Sequence, residues 1–166
     1  MRCCVLVHAA ATIPPDPNAV LPERTVRIAT VRARLGQHRY KVLQAEMWGN
    51  ACAVTGITEP ALLRASHAKP WAEATDAERL DPANGFPLVV HLDALFDAGF
   101  ISFDSGGSMM ISPKLGEDTI ALYGLSNKMR LRNPPTKRQE AYLQYHRRNV
   151  FRIDLVEETL RCDGTK

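Results

Sequence analysis

The chain has 166 residues, 45% apolar and 23% charged, with 21 Lys and Arg against 18 Asp and Glu for a net charge of +3. That is ordinary globular usage, enough for one domain with its own core. No apolar run approaches the ~20 residues of a membrane-spanning helix, and the mild positive charge permits nucleic-acid binding without arguing for it.

The start, Met1 to Ala11, has a short apolar stretch broken by His8. It reads as a mature N-terminus with one strand rather than a signal peptide. Residues 11 to 23 hold four prolines and read as an extended arm. Domain boundaries are therefore expected at 1–23 for the arm, 24–152 for the folded domain and 153–166 for a tail. The cysteines, Cys3, Cys4, Cys52 and Cys162, form no C-x-x-C pair, which excludes a four-cysteine zinc knuckle. They read as free thiols in a reducing cytoplasm, Cys52 as a small buried residue.

Six basic residues, Arg24, Arg27, Arg32, Arg34, Arg39 and Lys41, follow with no acid between them. They create a local positive potential well above the chain average. Gly36 is expected to break this run. Gln37 to Trp48 then reads as a helix, with Tyr40, Leu43 and Met47 on its packing face beside Val42, ended by Gly49-Asn50. Ala51 to Gly56 reads as a short strand leading into a turn, and Leu62 to His67 as a second strand stopped at Lys69-Pro70. Residues 72 to 84 are a polar excursion with one helical turn. Asn84-Gly85 is turn chemistry, Phe86 to Val90 a strand, and His91 to Gly99 a short helix closed by its glycine. Ile101 to Asp104 and Ser108 to Ser112 flank Asp-Ser-Gly-Gly as a hairpin. Leu115 to Gly124 is ambiguous. Thr136 with Gln139 is a capping-box pattern opening a helix to about Asn149, with Tyr142, Leu143 and Tyr145 available for packing.

His67, Asn84, His91, Asp93 and Asp97 are the residues with chemistry to offer. A histidine titrates near neutrality and can take a proton from water. It lies at the end of an apolar strand, where a rigid element can aim it. An asparagine amide can hold the imidazole in one tautomer or brace the loop between strands. Asp93 and Asp97, four apart, share one helix face and repel each other unless a cation or water intervenes. His91 falls roughly 200° away from Asp93 on a helix and is an alternate ligand or a phosphate contact. Singly, each residue is equally a rim histidine, plain turn chemistry or a solvated first-turn acid. Together, in this order, they describe a compact phosphodiester-cleaving site with a divalent metal.

The segments Arg34-Leu-Gly-Gln-His-Arg-Tyr40, Cys52-Ala-Val-Thr-Gly56, Ala65-Ser-His-Ala-Lys-Pro-Trp71, Asn84-Gly85, Leu95-Phe-Asp-Ala-Gly99 and Tyr142 to Phe151 together resemble the HNH endonuclease domain. More narrowly, they resemble the subset in bacterial restriction-type nucleases. The resemblance spans about residues 30 to 151. It implies an α+β fold: a ββα-metal core with flanking helices and a small β-hairpin. It implies metal-dependent DNA hydrolysis, with His67 as general base, Asn84 as the central asparagine, Asp93 at the last motif position and Asp97 in the Leu-Phe-Asp segment. The expected cofactor is a divalent ion, Mg²⁺ first, with Mn²⁺, Ni²⁺ or Zn²⁺ as alternatives. Two departures stand out. Ser66 occupies a position where many relatives place a metal-binding Asp or His. Ile57 stands where some have a second cysteine, so no zinc is expected at that turn.

Arg32, Arg34, Gln37, Arg39 and Lys69 are the expected nucleic-acid contacts, while Trp71 reads as packing behind the site. DNA is the expected partner, and a homodimer would suit double-strand cutting. A DNA-binding module with weakened catalysis, a subunit that depends on a partner, and an RNA-cleaving effector are the competing readings.

Overall fold

The computed structural model describes residues 24–153, with side chains from Gly36 onward. The N-terminal strand and proline-rich arm, the tail from residue 154, Cys3, Cys4 and Cys162 lie outside the described residues, as do the side chains of Arg32 and Arg34.

Helix α1 runs unbroken from Arg24–Met47. The expected break at Gly36 does not occur. A glycine inside a helix costs about 1 kcal/mol relative to alanine but does not end it. Here it also makes room: a Cβ at Gly36 would lie 3.0 Å from Leu80 Cδ2. The buried face also differs from the expected Tyr40, Leu43 and Met47. Tyr40, Gln44 and Trp48 are buried, one turn apart, while Val42 and Met47 are exposed. A polar Gln44 in that row is tolerated because its amide donates two hydrogen bonds. The helix ends as expected, with Gly49 and Asn50 both in the left-handed region (φ 63° and 55°) and the Asn50 amide returning to the Ala45 carbonyl.

Residues 51 to 56 do not form the expected strand. Their hydrogen bonds close locally: the Gly56 amide donates to the Cys52 carbonyl and the Cys52 amide to that of Ile57. Gly56, at φ 75°, supplies the turn a β-branched residue would resist. Cys52 is a free, fully buried thiol.

Strand β1 (Leu63–His67) follows a single 3-10 turn and pairs antiparallel with β2 (Gly85–Val89), His67 opposite Gly85. Between them lies α2 (Asp76–Arg79), the one-turn helix of the polar excursion, closed by a capping box between Thr75 and Glu78. Helix α3 (Val90–Asp97) leaves β2 without a loop. This is a ββα unit, and the fold class is α+β as expected. Strands β3 (Ile101–Phe103) and β4 (Met109–Ile111) form the expected hairpin. Asp104 Oδ1 accepts from the Gly106 and Ser108 amides in its turn. The ambiguous stretch holds a short helix, α4 (Glu117–Leu122). Helix α5 (Lys137–Asn149) opens with the capping box of Thr136 and Gln139.

The core lies where β2, α3, β3 and α5 meet. Phe86, Phe96 and Phe103 pack with ring centroids 5.8 to 6.3 Å apart, surrounded by buried Leu88, Leu92, Ile101 and Leu143. His146 of α5 lies flat on Phe96 at 3.9 Å. Its Nε2 donates to the Phe96 carbonyl and its Nδ1 accepts from the Ser102 hydroxyl. Burial pushes its pKa down to about 4, so it is a neutral structural pin between α5, α3 and β3.

At Gly85 the β2 backbone lies against β1 with no room for a side chain. An added Cβ there would fall 1.8 Å from the Ser66 carbonyl oxygen, at a backbone φ of 138°. Gly85→Ala should therefore destabilise the domain by about 3 kcal/mol or more, read as a fall in urea midpoint.

Candidate active site

His67 is the last residue of β1, half-buried, and packed on two sides. The Tyr40 ring stacks on it at 4.2 Å and 15°, and Trp71 meets it edge-on at 5.6 Å. Its Nε2 lies 3.1 Å from the Arg79 carbonyl. A carbonyl only accepts, so Nε2 carries the proton and Nδ1 keeps the lone pair. Burial lowers the imidazole pKa below 6.5, against opposing effects from the Arg79 carbonyl and the Asp93 carboxylate. The group is a neutral base of fixed tautomer at neutral pH.

Asn84 is fully buried one residue before β2. Its Oδ1 accepts from the Lys69 amide at 2.8 Å, and its Nδ2 donates to the carbonyls of Glu78 and Lys69 at 3.0 and 3.3 Å. The amide thus ties together both ends of the 69–84 excursion. Through Glu78 it reaches α2, the element that supplies the Arg79 carbonyl to His67.

Asp93 lies on the first turn of α3 and accepts a hydrogen bond from the buried Ser66 hydroxyl. Asp97, one turn on, lines a cleft of about 300 Å³ together with Ala65, Ser66, His67, Pro70, Trp71 and Val150. Although Asp97 is exposed overall, partial desolvation of its carboxyl and then the Asp93 charge raise its pKa to about 6. His91 stands apart, its ring stacked on Tyr123 at 5.5 Å. The helix therefore brings Asp93 and Asp97 towards His67 and carries His91 elsewhere.

Gln37 and Arg39 are exposed on α1. Lys69 is engaged: its ammonium sits 2.8 Å from both Glu78 carboxylate oxygens and 5.2 Å from the Tyr145 ring. Hydrogen bonding to Lys69, ahead of those to Thr75, holds Glu78 down at about 2. Trp71 lines the cleft itself, with the Arg79 guanidinium 5.2 Å over its ring.

Sequence reading missed Tyr40 and Gln44 as site residues. The Tyr40 hydroxyl lies 3.0 Å from the Ser66 carbonyl and 2.9 Å from the Asn84 carbonyl. The Gln44 amide donates to that hydroxyl at 2.5 Å and to the Ser66 carbonyl at 3.2 Å. Burial raises the phenol pKa far above its usual value, so it remains a donor. The available signal was a polar Gln44 between two aromatics, Tyr40 and Trp48, at helical spacing.

Residues 52–104, which carry β1, β2 and α3 with His67, Asn84 and Asp93 between them, match the family model described as HNH endonuclease. This segment is similar to the HNH endonuclease family. No curated protein matches the chain.

HNH nucleases work with divalent metals, and the donors here bear on which kind. Among the described residues no three His, Cys, Asp or Glu side chains cluster as a ligand set. Two neighbouring carboxylates and a hydroxyl are hard oxygen donors. They fit a cation that retains water and takes phosphate oxygens, and they do not fit a closed tetrahedral zinc site.

Two outcomes follow. Tyr40→Phe keeps the ring against His67 but leaves Gln44 and the two carbonyls short of a partner. It should lower stability by about 1–3 kcal/mol in urea denaturation. For Asp97 the folded pKa lies above its usual value of 3.8, so a penalty is absent below pH 3.8, grows through about 6 and is full above it. Asp97→Asn should thus stabilise the metal-free protein at pH 8 by about 1 kcal/mol or less given its exposure, read as a rise in urea midpoint, and change little at pH 4.

Proposed function

We propose that this HNH domain is a metal-dependent DNA endonuclease. The observation that carries the reading is the neutral His67, its Nε2 proton on the Arg79 carbonyl and its Nδ1 left to accept, beside the Asp93 carboxylate. In this reading His67 Nδ1 takes the proton of the attacking water. The Tyr40 and Trp71 rings keep the imidazole from rotating and cover it from bulk water. Asp93 and Asp97 would hold a divalent ion, with Mg²⁺ the best fit to oxygen donors, and bound there it supplies charge neutralisation at the phosphate and the leaving oxygen. The Ser66 hydroxyl orients Asp93. Asn84 acts on His67 indirectly, through the loop that presents the Arg79 carbonyl.

Arg32, Arg34, Gln37 and Arg39 share α1 and are the proposed phosphate contacts, while Lys69 contributes through its lock on Glu78. A restriction or defence role in the cytoplasm and a homodimer for double-strand cutting extend the same reading. Among the described residues no helix is long and apolar enough to cross a membrane. One observation favours the second reading, a DNA-binding module of weak catalysis: Ser66, in place of a carboxylate or imidazole ligand, draws one Asp93 oxygen to itself.

Supercoiled plasmid with Mg²⁺ or Mn²⁺ decides between them. Nicking that stops in EDTA and falls about 10²–10⁴-fold in His67→Ala is expected. Because burial lowers the imidazole pKa, the rate should hold on acidification through the ordinary imidazole range and fall only at lower pH, as the ring takes up a proton. Binding without cutting by folded wild-type protein would favour the binding module, and cutting of RNA alone would favour the RNA-directed alternative.

A further inference from the structure

Asp81 is the one carboxylate buried among the described residues, its side chain only 3% exposed. It follows Arg79 by two residues in the loop between β1 and β2 and does not line the cleft. A buried carboxylate only accepts, and an oxygen left without a donor is costly. Both oxygens are met. Oδ1 accepts from the Ala83 amide at 3.0 Å, within the loop. Oδ2 accepts from Arg138 Nε at 2.7 Å and from the Tyr142 hydroxyl at 2.8 Å, both on α5. Burial and then the bond to Asp81 push the Tyr142 phenol pKa up to about 12, so it stays a donor. The Arg138 side chain is mostly exposed. A pair with both partners on the surface would count for little, but withdrawing the donors of a buried acid leaves a charge with neither partner nor water. The contact therefore fixes the loop against α5.

From this fixed point a line of bonds runs to the imidazole. The Asn84 amide donates to the Asp81 carbonyl at 2.8 Å. The Asp81 amide and Asn84 Nδ2 both donate to the Glu78 carbonyl, at 3.3 and 3.0 Å. The next carbonyl along, that of Arg79, accepts from His67 Nε2 at 3.1 Å. A shift of the 78–84 turn would lengthen that last bond, and the imidazole would lose the hydrogen bond that selects its tautomer.

Residues 52–104, which match the family model, contain Asp81 but neither Arg138 nor Tyr142. We infer that Asp81 is a positioning residue for His67 and that Arg138 and Tyr142 of α5 complete the site by holding it. The inference rests on the nuclease reading above and extends it to α5. The requirement is for an acceptor and not for shape. In Asp81→Asn the new NH₂ would face either Arg138 Nε or the Ala83 amide, and two donors cannot bond each other.

The test reads the His67 ring directly, in the full chain without metal at pH 8, by ¹⁵N NMR of its two nitrogens. In the wild type Nε2 should carry the proton and Nδ1 the lone pair. In Asp81→Asn the two signals should converge as the other tautomer becomes populated. Tyr142→Phe, which removes one α5 donor and keeps the ring, should move them the same way by less. Ser102→Ala is the control: it takes a partner from His146 and loosens α5 elsewhere, and should leave the His67 signals in place. In the plasmid assay with Mg²⁺, Asp81→Asn should lower kcat about ten- to hundredfold with little change in KM, and Tyr142→Phe should lower it less. Unmoved His67 signals in folded Asp81→Asn, or the same movement in Ser102→Ala, would overturn the inference. If Asp81→Asn fails to fold, unmoved signals in Tyr142→Phe overturn it equally. A folded wild type that never cuts would sink the nuclease reading, while the ring signals would still decide whether Asp81 positions the histidine.

Discussion

Tyr40 holds its hydroxyl between the carbonyls of Ser66 and Asn84 while its ring lies flat against His67. Those carbonyls sit at the two strand ends that carry the histidine and the asparagine. One side chain from α1 therefore sets the gap between the strands and the plane of the imidazole at once. Gln44 reinforces it from one turn further on. Without this brace, the β1–β2 pair would be a two-stranded hairpin with a long insertion, a unit marginal by itself. With it, the pair becomes a platform rigid enough to aim an imidazole.

The excursion between β1 and β2 is fastened by a different physics. Asp81, buried, accepts from Arg138 at 2.7 Å and from the Tyr142 hydroxyl at 2.8 Å. Glu73 accepts from Tyr145, and Glu78 holds Lys69. Charged and polar groups of α5 thus clamp the loop from outside, while Asn84 satisfies its backbone from inside. The clamp matters because Arg79, whose carbonyl selects the His67 tautomer, belongs to this loop.

Much of this could be read in the sequence, and the failures have physical causes. The strand, the asparagine turn and the helix after it were legible because apolar runs, a glycine and a Leu-Phe-Asp segment mark them locally. The capping box of Thr136 and Gln139 was legible for the same reason. The turn at 51–56 was not. Cys-Ala-Val-Thr has strand composition, and only its closure onto Ile57 and Gly56 reveals the turn. Gly36 reads as a breaker, but a glycine inside a helix lowers its stability without ending it, and the Leu80 side chain that packs close to it lies far along the chain. The Tyr40 brace was hidden because its partners are backbone carbonyls 26 and 44 residues away, which carry no residue signature. His67, Asp93 and Asp97 were legible as a group, whereas the separation of His91 needed its Tyr123 stack to be seen.

The pairing of Lys69 with both oxygens of Glu78 has a consequence for the ionic atmosphere around a polyanion bound as proposed. An ammonium already neutralised inside the protein displaces few condensed counterions when a polyanion arrives, because a phosphate must first compete with the carboxylate. The salt dependence of association should then be set by exposed Arg39, Lys41 and Arg64 rather than by Lys69, and its slope should count those contacts.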